Sequence, residues 1–242
     1  MFFPFFDGPI GIVIMLASLA IAGAAQAGVM NAYRKYSQVR ASGNMTGADL
    51  ARRIVSGLGV EVFQHNGGQL SDHFDPRTKR IGLSPDVYNG TDVAALGIAA
   101  HEAGHALQHD QSYIPIKLRN AILPLARIGS MAAMPLVLLG FLFGGAANPM
   151  TIFGETFYMP VISQIGILLF SAVLLFQLIT LPVEFNASRR AIETLDTSVN
   201  LTPEEFRGAK KVLRAAAMTY VAAVAVAALQ LLRLLLMSRR RR

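Results

Sequence analysis

The segment His101-Glu102-Ala103-Gly104-His105 concentrates more chemistry than any other stretch of this chain. Two imidazoles four positions apart lie on one face of an α-helix, where they can bind a single metal ion side by side. A carboxylate directly after the first of them, here Glu102, is placed to take a proton from a water at that ion. Zinc lowers the pKa of such a water to about 7 and so supplies a nucleophile at neutral pH. A catalytic zinc site uses three protein ligands and keeps one position open. The pattern therefore asks for a third ligand elsewhere.

His109 lies one turn further along the same helix. Ligands at i, i+4 and i+8 cannot converge, because the outer pair is about 12 Å apart at 1.5 Å rise per residue. His109 is thus expected behind the ligands or at the surface. The metzincin pattern, with a third His six residues after His105, is absent because position 111 is Gln. Cysteine is also absent, which excludes disulfides, thiolate zinc sites and a Cys nucleophile. A remote carboxylate remains. Glu184, in Glu184-Phe185-Asn186-Ala187-Ser188-Arg189-Arg190, follows Pro182 at a place where a helix can open. It could equally be a juxtamembrane charge paired with Arg189 or Arg190. Asp72, Asp75, Asp86 and Asp196 are weaker rivals.

The elements that must position these residues are mostly apolar. The chain has 242 residues, 53% hydrophobic and only 15% charged, with a mean hydropathy of +0.44. A soluble domain carries about 25% charged residues, so disorder, collagen and an ordinary soluble enzyme are excluded. Crossing the hydrocarbon core takes about 20 apolar residues. Four runs approach that length: 10–30, 129–147, 161–181 and 215–232. The first resembles a signal peptide at Ala25-Gln26-Ala27, but no Lys or Arg precedes it, so it is read as a spanning helix. In the third, Gln164 and Gln177 are uncharged and expected to bond another helix. No charge sits mid-run, which argues against a transporter or channel.

Positive charge orients the spans. Residues 31–120 hold ten Lys or Arg and 182–214 hold six, whereas 148–160 hold none. The two polar stretches are therefore expected on the cytoplasmic side and the loop near Glu155 outside. The net charge of +7 then reports topology rather than a nucleic-acid partner. The basic run at 239–242 conflicts with a full fourth crossing and reads as an anchor to anionic headgroups.

Within 31–111, Thr46 opens a helical pattern through Leu50, Ile54 and Val55, stopped by Gly57-Leu58-Gly59. Residues 60–63 read as a short strand, and 70–74 and 80–83 as two strands around a turn at Asp75-Pro76-Arg77. Ser84-Pro85 breaks the chain. Thr91 or Asp92 can cap a helix that carries the motif to about His109.

The sequence resembles the YugP-like neutral zinc metallopeptidases of bacterial membranes. The matching stretches are Leu70-Ser71-Asp72-His73-Phe74-Asp75-Pro76-Arg77, Ile81-Gly82-Leu83-Ser84, the motif helix from Val93 through Gln108, and Leu181-Pro182-Val183-Glu184-Phe185 with Ala187-Ser188-Arg189-Arg190-Ala191. The resemblance spans nearly the whole chain. It implies Zn2+ as cofactor, peptidase activity and, by similarity to gluzincins, Glu184 as the third ligand beside His101 and His105. The family pattern carries Asp where Asn186 stands; an Asn would steady a ligand histidine less strongly.

The expected architecture is an α-helical membrane protein of three to four transmembrane helices with a small α+β, zincin-like, cytoplasmic-facing domain. Its parts are a first transmembrane helix (1–30), a metallopeptidase domain with the motif helix (31–120), a second transmembrane helix (121–148), an external loop (149–160), a third transmembrane helix (161–181), a cytoplasmic segment with the third ligand (182–214), and a transmembrane or membrane-associated helix with a basic tail (215–242). The expected function is a multi-pass, bacterial plasma-membrane zinc endopeptidase acting on membrane proteins or peptides at the cytoplasmic side. Glu102 serves as general base, and the lipid bilayer is a partner. The 80–83 strand is expected to pair with an extended substrate. His73, His65, Tyr113, Arg189 and Arg190 are candidates for substrate contact or oxyanion stabilisation. The alternative is a zinc-binding membrane scaffold or regulatory protein without turnover, which would not require Glu102.

Overall fold

The computed structural model describes residues 4–143, 148–152 and 155–239. The basic run at 239–242 lies outside the described residues, apart from the backbone of Arg239. In chain order the elements are α1 (Pro4–Tyr36), α2 (Gly47–Ile54), β1 (Glu61–Gln64), β2 (His73–Asp75), β3 (Arg80–Leu83), α3 (Pro85–Tyr88) and α4 (Val93–Asp110). They are followed by α5 (Ile114–Phe143), β4 (Asn148–Ile152), β5 (Glu155–Met159), α6 (Val161–Ser198) and α7 (Pro203–Arg239). Four helices are long and apolar enough to cross a membrane: Gly8–Tyr36, Ile114–Phe143, Val161–Ser198 and Pro203–Met237. The protein is a helical membrane protein with a small α+β part.

Two compact units divide the chain. One comprises Met1–Ala24, Leu118–Thr180 and Tyr220–Arg242. Its core joins Val137 and Phe141 of α5, Met159, Ile167 of α6 and Leu231, Leu234 and Leu235 of α7. Among the described residues, polar side chains inside it bond each other or the backbone. Ser163 Oγ donates to the Val137 carbonyl at 3.1 Å, and Gln230 Nε2 donates to Ser18 Oγ at 3.2 Å, linking α7 to α1. Gln164, expected to bond another helix, instead donates to the carbonyls of Asn148 and Met159 at 2.9 and 3.1 Å. Those carbonyls belong to an antiparallel hairpin, β4 with β5, registered from Asn148↔Met159 to Ile152↔Glu155. The stretch read as a loop between the second and third apolar runs thus forms a strand pair. Near its start α1 breaks at Gly8, whose φ of 58° precedes Pro9; the proline bars its predecessor from helical angles, and glycine alone takes the left-handed alternative without strain.

The other unit comprises Ala25–Lys117 and Leu181–Thr219. Its three-stranded sheet has the order β1-β3-β2. β1 runs parallel to β3 from Glu61↔Arg80 to Gln64↔Leu83, and β2 runs antiparallel to it from His73↔Gly82 to Asp75↔Arg80. The two strands around Asp75-Pro76-Arg77 therefore pair as expected. β3 is nevertheless the central strand. Its backbone groups are used on both sides, so it cannot pair with a substrate as the 80–83 segment was expected to.

Caps fix the helices of this unit. Thr46 Oγ1 accepts from the Asp49 amide at 3.1 Å, and Asp92 Oδ1 accepts from the Ala95 amide at 3.0 Å, each satisfying one free donor of a first turn. Ser84-Pro85 does not end structure but starts it: Ser84 is the N-cap of α3 with Pro85 in its first turn, where a missing N–H costs nothing. At α7, Thr202 and Glu205 form a capping box, Glu205 Oε2 accepting from the Thr202 amide at 2.9 Å and Thr202 Oγ1 from the Glu205 amide at 3.3 Å. Glu205 Oε1 also accepts from Ser42 Oγ at 2.6 Å, tying the loop after α1 to this helix.

Candidate metal centre

Helix α4 is apolar nearly all round because it is enclosed. One side packs Ala99, Ala103 and Ala106 against Val62, Ile81 and Leu83 of the sheet and Ala51 and Val55 near α2. The other packs Val93, Leu96 and Ala100 against Ala191 and Leu195 of α6 and Ala209 and Leu213 of α7. A helix buried on both sides can carry polar residues only where partners meet them. The partners come from α6. A Cβ built on Gly104 would stand 2.7 Å from the Ala187 carbonyl oxygen. The two backbones therefore touch at this glycine, inside the motif itself, and one turn before Ala187 stands Glu184.

This crossing brings His101, His105 and Glu184 together, with one ligand atom from each lying within 4.8 Å of the others. Glu184 Oε2 is 3.3 Å from His101 Nε2 and 3.5 Å from His105 Nε2. The two rings meet edge to face with centroids 4.8 Å apart. Glu184 is 1% exposed and Glu102 8%, so the carboxylates are screened from bulk water. Burial opposes ionisation of Glu184, but hydrogen bonds and charge from His101 and His105 outweigh it and hold the carboxyl below the usual carboxylate range. Burial likewise pulls His105 down, and the bond and charge of Glu184, with the charge of Glu102, raise it overall.

The donor set fits zinc. With Zn–N near 2.0–2.1 Å and Zn–O near 2.0–2.2 Å, neighbouring ligand atoms of a tetrahedral ion stand about 3.3–3.5 Å apart. The two Glu184 to imidazole distances match that edge. The outer nitrogens are engaged as well: His101 Nδ1 lies 3.3 Å from Ser188 Oγ, and His105 Nδ1 lies 3.0 Å from Gln108 Oε1. Such contacts orient a ligand ring and set its tautomer.

Other sequence-derived candidates fall elsewhere. His109 stacks edge to face on Phe74, centroids 5.8 Å apart. His73 Nδ1 meets the Ser71 carbonyl at 3.0 Å, and its ring meets His65 at 5.2 Å. Asp72 accepts from the Ser84 amide at 2.7 Å and Asp75 from the Arg77 amide at 2.9 Å. Arg189 and Asp196 are exposed and Asp86 is exposed on α3. Asn186 is beside the centre, accepting on Oδ1 from Gln108 Nε2 at 2.9 Å and from Arg190 Nε at 2.8 Å. Sequence reading missed Gln108 and Ser188. Their signal was spacing: Gln108 follows His105 by three and Ser188 follows Glu184 by four, both same-face distances on a helix.

Glu184 was expected to sit where a helix opens after Pro182. Instead α6 runs unbroken from Val161 to Ser198 with Pro182 inside it. Proline is tolerated within apolar helices when neighbouring groups satisfy the freed backbone.

The contact at Gly104 gives a direct expectation. Gly104→Ala places a methyl against the Ala187 carbonyl, so α6 must retreat and carry Glu184 from the imidazoles. Overpacking of this kind costs about 1–3 kcal/mol. Titration with a competing chelator is expected to show weaker zinc binding in the variant than in the wild type; unchanged affinity would mean the crossing does not set the site.

Residues 11–239 match the family described as "Putative neutral zinc metallopeptidase". The chain is 42% identical over 224 residues to the "Putative membrane protease YugP" of Bacillus subtilis (strain 168), covering 92% of this chain and 93% of that one. No solved structure matches. With a family match over almost its full length, on apolar helices that bring two imidazoles and a buried carboxylate together, this membrane protein belongs to that zinc metallopeptidase family, and its cofactor is Zn2+.

Proposed function

We propose that the protein is a membrane-embedded, gluzincin-like zinc endopeptidase that hydrolyses peptide bonds in membrane or juxtamembrane protein segments. The observation that carries this reading is the convergence of His101, His105 and Glu184 ligand atoms within 4.8 Å on a helix that also carries Glu102. In this reading His101 Nε2, His105 Nε2 and a Glu184 oxygen hold the metal. When bound, zinc supplies a Lewis acid that makes water nucleophilic near neutral pH and polarises the scissile carbonyl. Glu102 takes the proton of the attacking water and passes it to the departing amine, so the same carboxylate serves as base and then acid. Burial of Glu102 and Glu184 keeps bulk water from competing at both steps.

Sequence position supports a substrate at the bilayer. Glu184 follows the apolar run 161–181 by three residues on one continuous helix, about 4.5 Å at 1.5 Å per residue. The basic surplus of 31–120 and 182–214 over 148–160 supports a multi-pass plasma-membrane topology with the site on the cytoplasmic side.

The test is zinc per chain in detergent-purified protein, with hydrolysis of a casein-derived peptide mixture followed through chelation and zinc re-addition. About one zinc per chain and chelator-reversible cleavage are expected. No zinc after dialysis against zinc buffer would overturn the reading, and zinc without cleavage would leave a scaffold.

A further inference from the structure

Behind His105 stands a chain of hydrogen bonds whose direction is forced. Gln108 is fully buried. Its Nε2 donates to the Val183 carbonyl at 2.8 Å and to Asn186 Oδ1 at 2.9 Å, while its Oε1 faces His105 Nδ1 at 3.0 Å. Rotating this amide by half a turn would set Oε1 against two acceptors. The Val183 carbonyl can never donate, so the amide has one allowed orientation. Asn186 is fixed in turn by Arg190, whose Nε donates to the same Oδ1 at 2.8 Å and whose NH1 donates to Gln111 Oε1 at 2.7 Å. A guanidinium does not deprotonate in proteins, so it cannot accept. With both far ends locked, Gln108 Oε1 can only accept, and His105 Nδ1 must be the donor.

We infer that Arg190, Asn186 and Gln108 are positioning residues that lock His105 with its proton on Nδ1 and its Nε2 lone pair directed at the metal position. The inference rests on the zinc site proposed above. The lock is one-sided. His101 Nδ1 meets Ser188 Oγ at 3.3 Å, a hydroxyl that can donate or accept, so the two ligand imidazoles are held differently. The roles required of Asn186 are those of an acceptor alone, since both its partners come to Oδ1. An Asp at 186 offers the same acceptor to the same two donors.

The test compares Gln108→Leu, Asn186→Leu and Asn186→Asp in the full-length protein. Zinc affinity is read by chelator competition. In Co2+-substituted protein, the hyperfine-shifted ring N–H of His105 is read by proton NMR in water. Melting of the chelated protein serves as the structural control. Loss of an outer partner typically costs 10–100-fold in metal affinity. Gln108→Leu and Asn186→Leu are expected to weaken zinc by about that factor and to broaden the His105 N–H through exchange. Asn186→Asp is expected to stay near wild-type affinity with the N–H signal intact. Wild-type affinity in Gln108→Leu would overturn the lock, as would equal damage from Asn186→Asp and Asn186→Leu. Lower melting with unchanged affinity and N–H signal would also overturn it, leaving a purely structural network. If Gln108→Leu fails to fold, the Asn186 pair still decides. A wild type that binds neither metal would remove the zinc reading itself, a result distinct from any of these.

Discussion

Glu102→Gln is expected to leave zinc binding intact and to lower peptide hydrolysis by about 10²–10⁴-fold, the usual worth of a positioned acid–base group. The amide keeps the size of the carboxylate on α4, so the packing of Ala99, Ala103 and Ala106 against the sheet is undisturbed. It cannot take the proton of the attacking water. Glu102 is next to His101 in sequence but is not among the three residues whose ligand atoms converge, which is why metal content and turnover should separate in this variant. Zinc stoichiometry and initial rates on the same preparation check the point. Cleavage surviving within tenfold of wild type would assign the base elsewhere, and loss of zinc would make Glu102 part of the metal shell.

The second large effect is expected from Glu184→Ala. Outer contacts of a ligand are worth about 10–100-fold in affinity, so removal of a ligand itself should exceed about 100-fold. Melting of the chelated proteins gives the baseline for each. Glu184 is a buried carboxylate in contact with both imidazoles, and without it both can remain neutral. Zinc should then stabilise the wild type, by about 2.7 kcal/mol at a free concentration 100 times its Kd, and the variant hardly at all. Thermal melts with and without added zinc separate the outcomes. Equal zinc-induced stabilisation in both proteins would mean another residue completes the site.

Much of this was legible in the sequence, for physical reasons that differ by element. The motif helix was readable because its cap, its apolar residues and its i, i+4 imidazoles are local. The β2–β3 pair was readable because a tight turn at Asp75-Pro76-Arg77 joins the strands. The place of β3 between β1 and β2 was not, because strand order is a non-local choice that period-two patterning does not encode. Helix α3 is not legible because Ser84-Pro85 reads as a break, whereas proline in a first turn begins helices. The same bias split α6 at Pro182. The candidate carboxylate ligand stayed ambiguous on the residues alone because a ligand distant along the chain has no spacing rule; what brings Glu184 to the imidazoles is the approach of Gly104 to Ala187. Gln108 was passed over because an uncharged amide gains meaning only when its acceptors are known.

His101 and Glu184 are 83 residues apart in the chain, and a ribosome delivers them in that order. When α4 has emerged, both imidazoles and Glu102 exist, but Glu184, the third ligand of the proposed site, has yet to be translated. At about 5–20 residues per second, roughly 4–17 seconds pass before it follows, during which α5 and the apolar run of α6 are made. A nascent chain at that stage therefore holds two of the three ligands of the proposed site. On the proposed reading, hydrolytic competence arrives only after the helix that carries Glu184 has been synthesised, so dividing the proposed ligands between α4 and α6 delays that competence during synthesis.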